Sequence, residues 1–502
     1  MELKKALEEM RLLEKRRYAY NHAIGLLSVD AMTVAPSKSY IGRGETMGIL
    51  SGEAYDLFVN EDVGELLGYI SEHSEEITDR SLRREAEVLK EEYDKIKAFP
   101  RDEYVEYSKL LNDADAIWHS AKADNDFASF EPYLTRIMEF QRKMAEWYEP
   151  GTSSRYDTLL NEYEKGMTGS KLDEFFKKLS DFITPLVKEI DSVQDRVDVS
   201  FMQTTFPTEK QRILSERVMA LMGLTPDVCV LGETEHPFTE GFNKYDVRIT
   251  TKYREKDFLD SMYSVIHEGG HAIYELSYDD EHLYTVLAGG ASTALHESQS
   301  RFFENIVGRS EAFISYMAPT FRELFPEALG NVSDRALYKA ANRSTPSLIR
   351  TEADELTYPL HVMIRYILER ALIDGGLKVK DLPGEWNGMY KKYLGIDVPD
   401  DTRGVLQDSH WSGGLVGYFP SYALGSAYGA QMLQAMKKDV DFEGTVGRGD
   451  LAPVKTWLRE KIHRYGGLLK PEELIQNSCG APFDASYYVS YLEKKYRDIY
   501  EL

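Results

Sequence analysis

The feature that most constrains this chain is the spacing of its apolar side chains, which recur every three or four residues with charges between them from Met1 to about Ser200. That period places them on one stripe of an α-helix and turns the opposite face to water. Leu82-Arg-Arg-Glu-Ala-Glu-Val-Leu-Lys-Glu-Glu-Tyr93 shows the pattern. Turns at Ala35-Pro36-Ser37, Phe99-Pro100-Arg101-Asp102 and Glu149-Pro150-Gly151-Thr152 interrupt it, because proline fixes φ and removes a donor. The same helical pattern resumes after Ala291 and runs to Leu502. There is no internal repeat, low-complexity segment or obvious linker; the length allows two or three domains or one large body, and the chain is taken as mainly α, a single helical body over 1–502. Its helical N-terminal part covers about 1–200, and the chemistry-bearing residues fall at about 235–430.

One segment departs from the helical period. In Lys244-Tyr-Asp-Val-Arg-Ile-Thr-Thr-Lys-Tyr253, Tyr245, Val247 and Ile249 alternate with polar neighbours, which predicts a strand. Tyr284-Thr-Val-Leu-Ala288, before Gly289-Gly290, is a second strand candidate. A small β-sheet is therefore expected beside the helix that starts near Leu259.

Bulk properties narrow the function. Sixty Lys and Arg against 84 Asp and Glu give a formal charge of −24, which repels nucleic acid phosphate and anionic membrane surfaces. Cys229 and Cys479 are the only cysteines, too few for a disulfide framework or a thiolate metal site. The N-terminal MELKKALEEMRLLEKRR has no apolar signal core, and no apolar run approaches the roughly 20 residues of a membrane helix. A soluble, cytoplasmic protein is the expectation.

Within Ser261-Met-Tyr-Ser-Val-Ile-His267-Glu268-Gly-Gly-His271, two histidines stand four apart on a helical pattern, so both imidazoles share one face. Two neutral imidazole nitrogens can then meet one cation at about 2.0–2.1 Å. Glu268 projects about 100° away, where a carboxylate can take a proton from metal-bound water and return it to a leaving amine. Catalytic sites of this kind use about three protein ligands and a water. The nearest source of a third is Ala294-Leu-His296-Glu297-Ser298-Gln299-Ser300-Arg301, where Glu297 and His296 compete for the role. Arg301 or Gln299 could orient the Glu297 carboxylate. Gly269 and Gly270 each cost a helix roughly 1 kcal/mol relative to alanine, so something must approach the backbone there, either a substrate strand or a crossing helix.

Six motifs in order carry a specific resemblance. They are His236-Pro237-Phe238, Asp246-Val-Arg248-Ile-Thr250, His267-Glu268-Gly-Gly-His271, His296-Glu297-Ser298-Gln299, Ile349-Arg350-Thr-Glu-Ala353-Asp354, and Gly404-Val-Leu-Gln407-Asp408-Ser-His410-Trp411. With them the chain resembles the M32 (Taq carboxypeptidase) family of thermostable metallocarboxypeptidases. The likeness is weaker in the N-terminal third, where the family pattern has tryptophan before an aspartate and this chain has Val29-Asp30. The resemblance implies a homodimeric helical body with a deep active-site groove, and removal of single amino acids from peptide C-termini with broad specificity. It also implies one divalent metal on His267, His271 and Glu297, with Glu268 as the base. Zinc is the expected ion, and the same donors also accept cobalt or manganese.

The substrates expected are peptides with a free C-terminus, whose carboxylate calls for arginine because a planar guanidinium binds it with two hydrogen bonds. Arg350 and Arg248 are the candidates, with Arg350 preferred. Arg350 could instead pair with Glu352, Asp354 or Glu355, and Arg248 with Asp246 on its own strand face. Donors for the oxyanion are sought among His236, His410, Tyr418 and Tyr422, with His236 preferred. Gln407 and Asp408 could orient His410, over Trp411. Tyr428 suits either a groove wall or helix packing. Two other readings fit the helical body and the paired histidines: an endo-acting metallo-oligopeptidase, and a non-catalytic binding protein.

Overall fold

The computed structural model describes residues 2–502, apart from the side chains of Ser37 and Ile41. Helices Leu3–Thr33, Arg80–Ala98 and Phe127–Tyr148 each stop just before one of the proline turns read from the sequence. Side-chain caps start several helices as local chemistry requires: Asn60, Asp79 and Asp126 accept main-chain N–H groups of the turn that follows. Two apolar cores result. Met10, Leu67, Ile70 and Leu89 centre a small one among the N-terminal helices, and a larger one extends from Phe99 to Tyr500.

The sheet has three strands, β1 (Cys229–Glu233), β2 (Thr239–Asn243) and β3 (Asp246–Thr251), in the order β1-β3-β2. Val247 and Ile249 do lie on the central strand, with both side chains fully buried, while Tyr245 falls in the turn before it and is exposed. β1 runs parallel to β3, and β2 antiparallel with a bulge at Gly241–Asn243. Helix Phe258–Glu275 packs on this sheet, its first turn capped by Asp257.

The second strand expectation fails. Residues 284–288 form turns, because Tyr284 takes a left-handed conformation with φ +67° and Gly289 follows at φ +88°. Their main-chain groups are met by other parts of the chain: Val286 N donates to Glu14 and Leu287 O accepts from Gly467. Nor is the chain helical throughout after Ala291. Segments 343–357 and 395–419 are largely irregular, and they carry Arg350, Gln407, Asp408 and His410.

Candidate active site

Helix Phe258–Glu275 crosses helix Thr293–Arg301 at Gly270, where a Cβ would lie 2.6 Å from the main-chain oxygen of Gln299 and 2.8 Å from Ser300 Cα. The glycine therefore answers to a crossing helix. Gly269 faces Met222 and Leu224 instead. Gly425, on helix Pro420–Met436, does the same from the other side, since a Cβ there would lie 2.9 Å from Cβ and Cγ of Glu297. Glu297 is thus clamped between two helix backbones.

This crossing brings His267, His271 and Glu297 together, with one ligand atom from each lying within 4.8 Å of the others. Glu297 Oε2 is 3.7 Å from His267 Nε2 and 3.5 Å from His271 Nε2. Two imidazole nitrogens and a carboxylate oxygen facing one point suit a divalent cation. The groups around them hold that arrangement. Arg301 Nε donates to Glu297 Oε1 at 2.7 Å, and His267 Nδ1 lies 2.9 Å from Glu304 Oε2, leaving both Nε2 and Oε2 turned inward. The imidazoles stay 19% and 15% exposed, so the site remains open to ligands from solvent.

Burial pushes the Glu268 carboxyl above its ordinary range, and His267 and the Thr239 hydroxyl pull it only partly back. Thr239, at the start of β2, donates to Glu268 Oε2 at 2.6 Å. Burial also lowers His271 to about 3, which favours the neutral ring that a metal needs. His267 moves the other way: burial opposes its charge, but Glu297 and Glu304 more than offset that. A cation at the common point would take over the role of that proton.

Arg350 is buried and paired, though with none of its near neighbours in sequence. Its Nε and Nη2 reach Asp408 Oδ1 at 3.0 and 2.9 Å, while Arg365 Nη2 takes Asp408 Oδ2 at 2.6 Å. Asp408 therefore holds two guanidinium groups and does not orient His410. Gln407 Oε1 accepts from the Arg350 main chain and from Arg365, so it too supports Arg350. His410 is bonded through Nε2 to the Tyr422 hydroxyl at 3.0 Å. Burial, then Arg350, lowers its pKa to about 3, so it is neutral. Trp411 donates to Glu369 and packs edge-on to Phe419, which in turn stacks on His410.

The two clusters are joined. Arg301, bonded to Glu297, lies 4.3 Å over the Tyr358 ring, and the Tyr358 hydroxyl accepts from Arg350 Nη1 at 2.9 Å. Arg350 also stands 4.9 Å from the Tyr422 ring, and Tyr418 is edge-on to Tyr422. Three candidates fall elsewhere. Arg248 is paired with Asp246 at 2.8 Å on β3, as the spacing allowed. His236 is exposed in the turn before β2, which Thr234, Thr250 and Phe238 tie together. Tyr428 donates to the buried Glu164 and packs on Phe483.

Thr239, Glu304, Tyr358 and Arg365 were not foreseen from sequence. Glu304 had a signal: it follows Glu297 by seven residues and Arg301 by three, positions that share a helix face. The turn that bears it, Phe302–Gly308, is π-helical. Thr239 and Arg365 had none, since their partners are 29 and 43 residues away.

The family model described as Carboxypeptidase Taq (M32) metallopeptidase matches residues 9–496. Carboxypeptidase 1 of Bacillus subtilis is 40% identical over 492 residues, covering 98% of each chain. Thermostable carboxypeptidase 1 of Pyrococcus furiosus is 36% identical over 96% of each. The crystal structure of an M32 carboxypeptidase from Deinococcus radiodurans superposes with a TM-score of 0.95 at 33% identity, over 99% of this chain and all of that one. With the family model matched over residues 9–496, a relative 40% identical over 98% of the chain and the fold of a solved member, the chain belongs to the Carboxypeptidase Taq (M32) family of metallopeptidases.

Proposed function

We propose that this metallocarboxypeptidase releases single amino acids from peptides with a free C-terminus and broad side-chain tolerance, using Glu268 as the base. His267, His271 and Glu297 would hold one cation, zinc being the ion their geometry suits, with cobalt or manganese also accepted. The convergence of their three ligand atoms within 4.8 Å, one residue from the buried Glu268, carries this reading.

When bound, the cation acidifies water and polarises the scissile carbonyl. Glu268, with its raised pKa, accepts the proton of the attacking water and returns it to the leaving amine. Thr239 holds the carboxylate in place until then.

Arg350 and Arg365 share the single carboxylate of Asp408, leaving a net positive charge in a buried setting. Such a charge is costly alone, and a second carboxylate completes it. Arg365 is fully buried, so the substrate's α-carboxylate is assigned to Arg350, and Gln407 acts only through Arg350. Tyr422 and the neutral His410 flank that position and can donate to substrate. His236 lies exposed three residues before Thr239, whose hydroxyl holds the base, and is assigned to the oxyanion. Arg248, occupied by Asp246, is assigned to the wall of β3.

In this reading the whole chain is one peptidase unit, working in the cytoplasm as a homodimer. No described helix is long and apolar enough to cross a membrane. The test is mass spectrometry of products from a ladder of peptides, as free acids and as amides, with zinc, cobalt or chelator. Stepwise loss of single residues from free acids is expected, with amides spared. Equal cleavage of the amides would defeat the exopeptidase assignment and favour an oligopeptidase.

A further inference from the structure

Beside the proposed metal ligands, two imidazoles share a hydrogen bond. His271 Nδ1 and His296 Nδ1 are 2.6 Å apart, and on its far side His296 Nε2 lies 2.6 Å from Glu275 Oε1. Two facing ring nitrogens bond only when one carries the proton and the other the lone pair, so each ring sets the tautomer of the other. His271 Nε2 is turned to the cation point, 3.5 Å from Glu297 Oε2, which leaves the proton of the neutral ring on Nδ1. His296 Nδ1 must then accept. Its own proton sits on Nε2 and is donated to the Glu275 carboxylate.

The surrounding chain is shaped to this pair. At Gly290 a Cβ would lie 2.7 Å from His296 Cδ2, and at Gly241 2.8 Å from Glu275 Cγ and Oε2. Gly289, at φ +88°, passes Glu275 with a Cβ position 3.4 Å from Oε1. Tyr274 closes the remaining face of the His296 ring, with centroids 5.3 Å apart. Residues from β2, from the 289–290 turn and from the metal helix itself thus leave room for one imidazole and one carboxylate. His267 has the simpler arrangement, with Nδ1 directly on Glu304.

We propose that His296 and Glu275 are positioning residues that lock His271 in its Nδ1-protonated tautomer and strengthen its Nε2 as a metal donor. The proposal rests on the reading of His267, His271 and Glu297 as the metal ligands. His296, a rival for the third ligand on sequence grounds, acts on the metal through His271 instead of touching it.

The test is zinc affinity of the purified protein, by competition with a chromophoric chelator at neutral pH, alongside the melting temperature of the metal-free form. His296→Phe, which leaves the His271 Nδ1–H unpaired, is expected to bind zinc about 10–100-fold more weakly, the usual cost of losing such a partner. Glu275→Leu is expected to match it, with metal-free melting close to wild type in both. Glu275→Gln keeps an acceptor oxygen for His296 Nε2 and should recover most of the affinity. Zinc binding within twofold of wild type in both His296→Phe and Glu275→Leu would overturn the relay. If His296→Phe does not fold, the Leu and Gln variants at Glu275, on the other helix, decide alone. A wild-type protein that binds no stoichiometric zinc, or a His271→Ala variant that binds it undiminished, sinks the ligand assignment and the relay with it.

Discussion

Gly270→Ala is the substitution whose consequence follows most directly from the helix crossing. The added methyl carbon would lie 2.6 Å from Gln299 O, 2.8 Å from Ser300 Cα and 3.0 Å from Gln299 C, all main-chain atoms that cannot rotate aside. Ordinary non-bonded contacts sit at about 3.5 Å or more, so the two helices must part by roughly 0.5–1 Å. Alanine returns about 1 kcal/mol of helix propensity, while overpacking costs about 1–3 kcal/mol, so the net loss of stability is modest, about 0–2 kcal/mol. Function should suffer far more. His267 and His271 ride on one helix and Glu297 on the other, so the parting opens the proposed ligand set itself, and a misplacement near 1 Å costs about a hundredfold in catalysis. Gly269→Ala is the control. Its methyl would meet the ends of the Met222 and Leu224 side chains, at 2.8 and 3.1 Å, and these can move. Melting curves, zinc titration and kcat/KM on one free-acid peptide should show both proteins folded, with only Gly270→Ala losing zinc affinity and about a hundredfold in kcat/KM. Wild-type zinc affinity and kcat/KM in Gly270→Ala would refute the claim that this contact sets the ligand geometry.

Other outcomes follow from the same structure. Glu268→Gln should abolish turnover while one metal per chain stays bound, as elemental analysis would show; retained activity would remove Glu268 as the base. Arg350→Lys keeps the charge but loses the planar fork, so KM for free-acid peptides should rise about 10–100-fold with kcat less affected, a difference steady-state kinetics would resolve. Burial beside Glu14 pushes the Glu85 carboxyl up to about 10 despite Arg11 at 2.6 Å, so the pair holds a proton in the folded state that an unfolded carboxyl loses near 4.5. Its stability contribution is complete below about pH 4.5 and is lost progressively as pH rises above that. Glu85→Gln should flatten that slope in melts of the N-terminal helices between pH 6 and 9, and an unchanged slope would contradict the shared proton. Chelation should lower the melting temperature by a few degrees, from roughly 3–4 kcal/mol of binding at 100 to 1,000 times Kd.

What could be read from sequence and what could not divide along physical lines. His267 and His271 needed only the helical period, which is local, and the same holds for Val247 and Ile249 on β3. β1 and β2 escaped notice because they are five residues each, half exposed, and carry Gly232 and Gly241 where a strand signal would want branched side chains. Residues 284–288 had those side chains yet form turns, because the left-handed Tyr284 and the bonds to Glu14 and Gly467 outweigh a five-residue preference. Arg350 was identifiable as a residue but its partner was not, since Asp408 lies 58 positions away and is brought in by the irregular 395–419 segment.

The choice between His296 and Glu297 is the instructive case, because spacing alone could not make it. The two are adjacent, so on helix Thr293–Arg301 their side chains diverge by about 100°. Only the crossing at Gly270 decides which of them meets the open Nε2 face of the histidines. Glu297 Oε2 meets that face, and His296 is carried round to the Nδ1 edge of His271, where Glu275 is waiting. A metal-ligating imidazole needs an acceptor behind it as well as a cation in front, so both candidates sit where the chemistry has a use for them. The ambiguity in the sequence reflects two adjacent positions that serve opposite edges of the same ring.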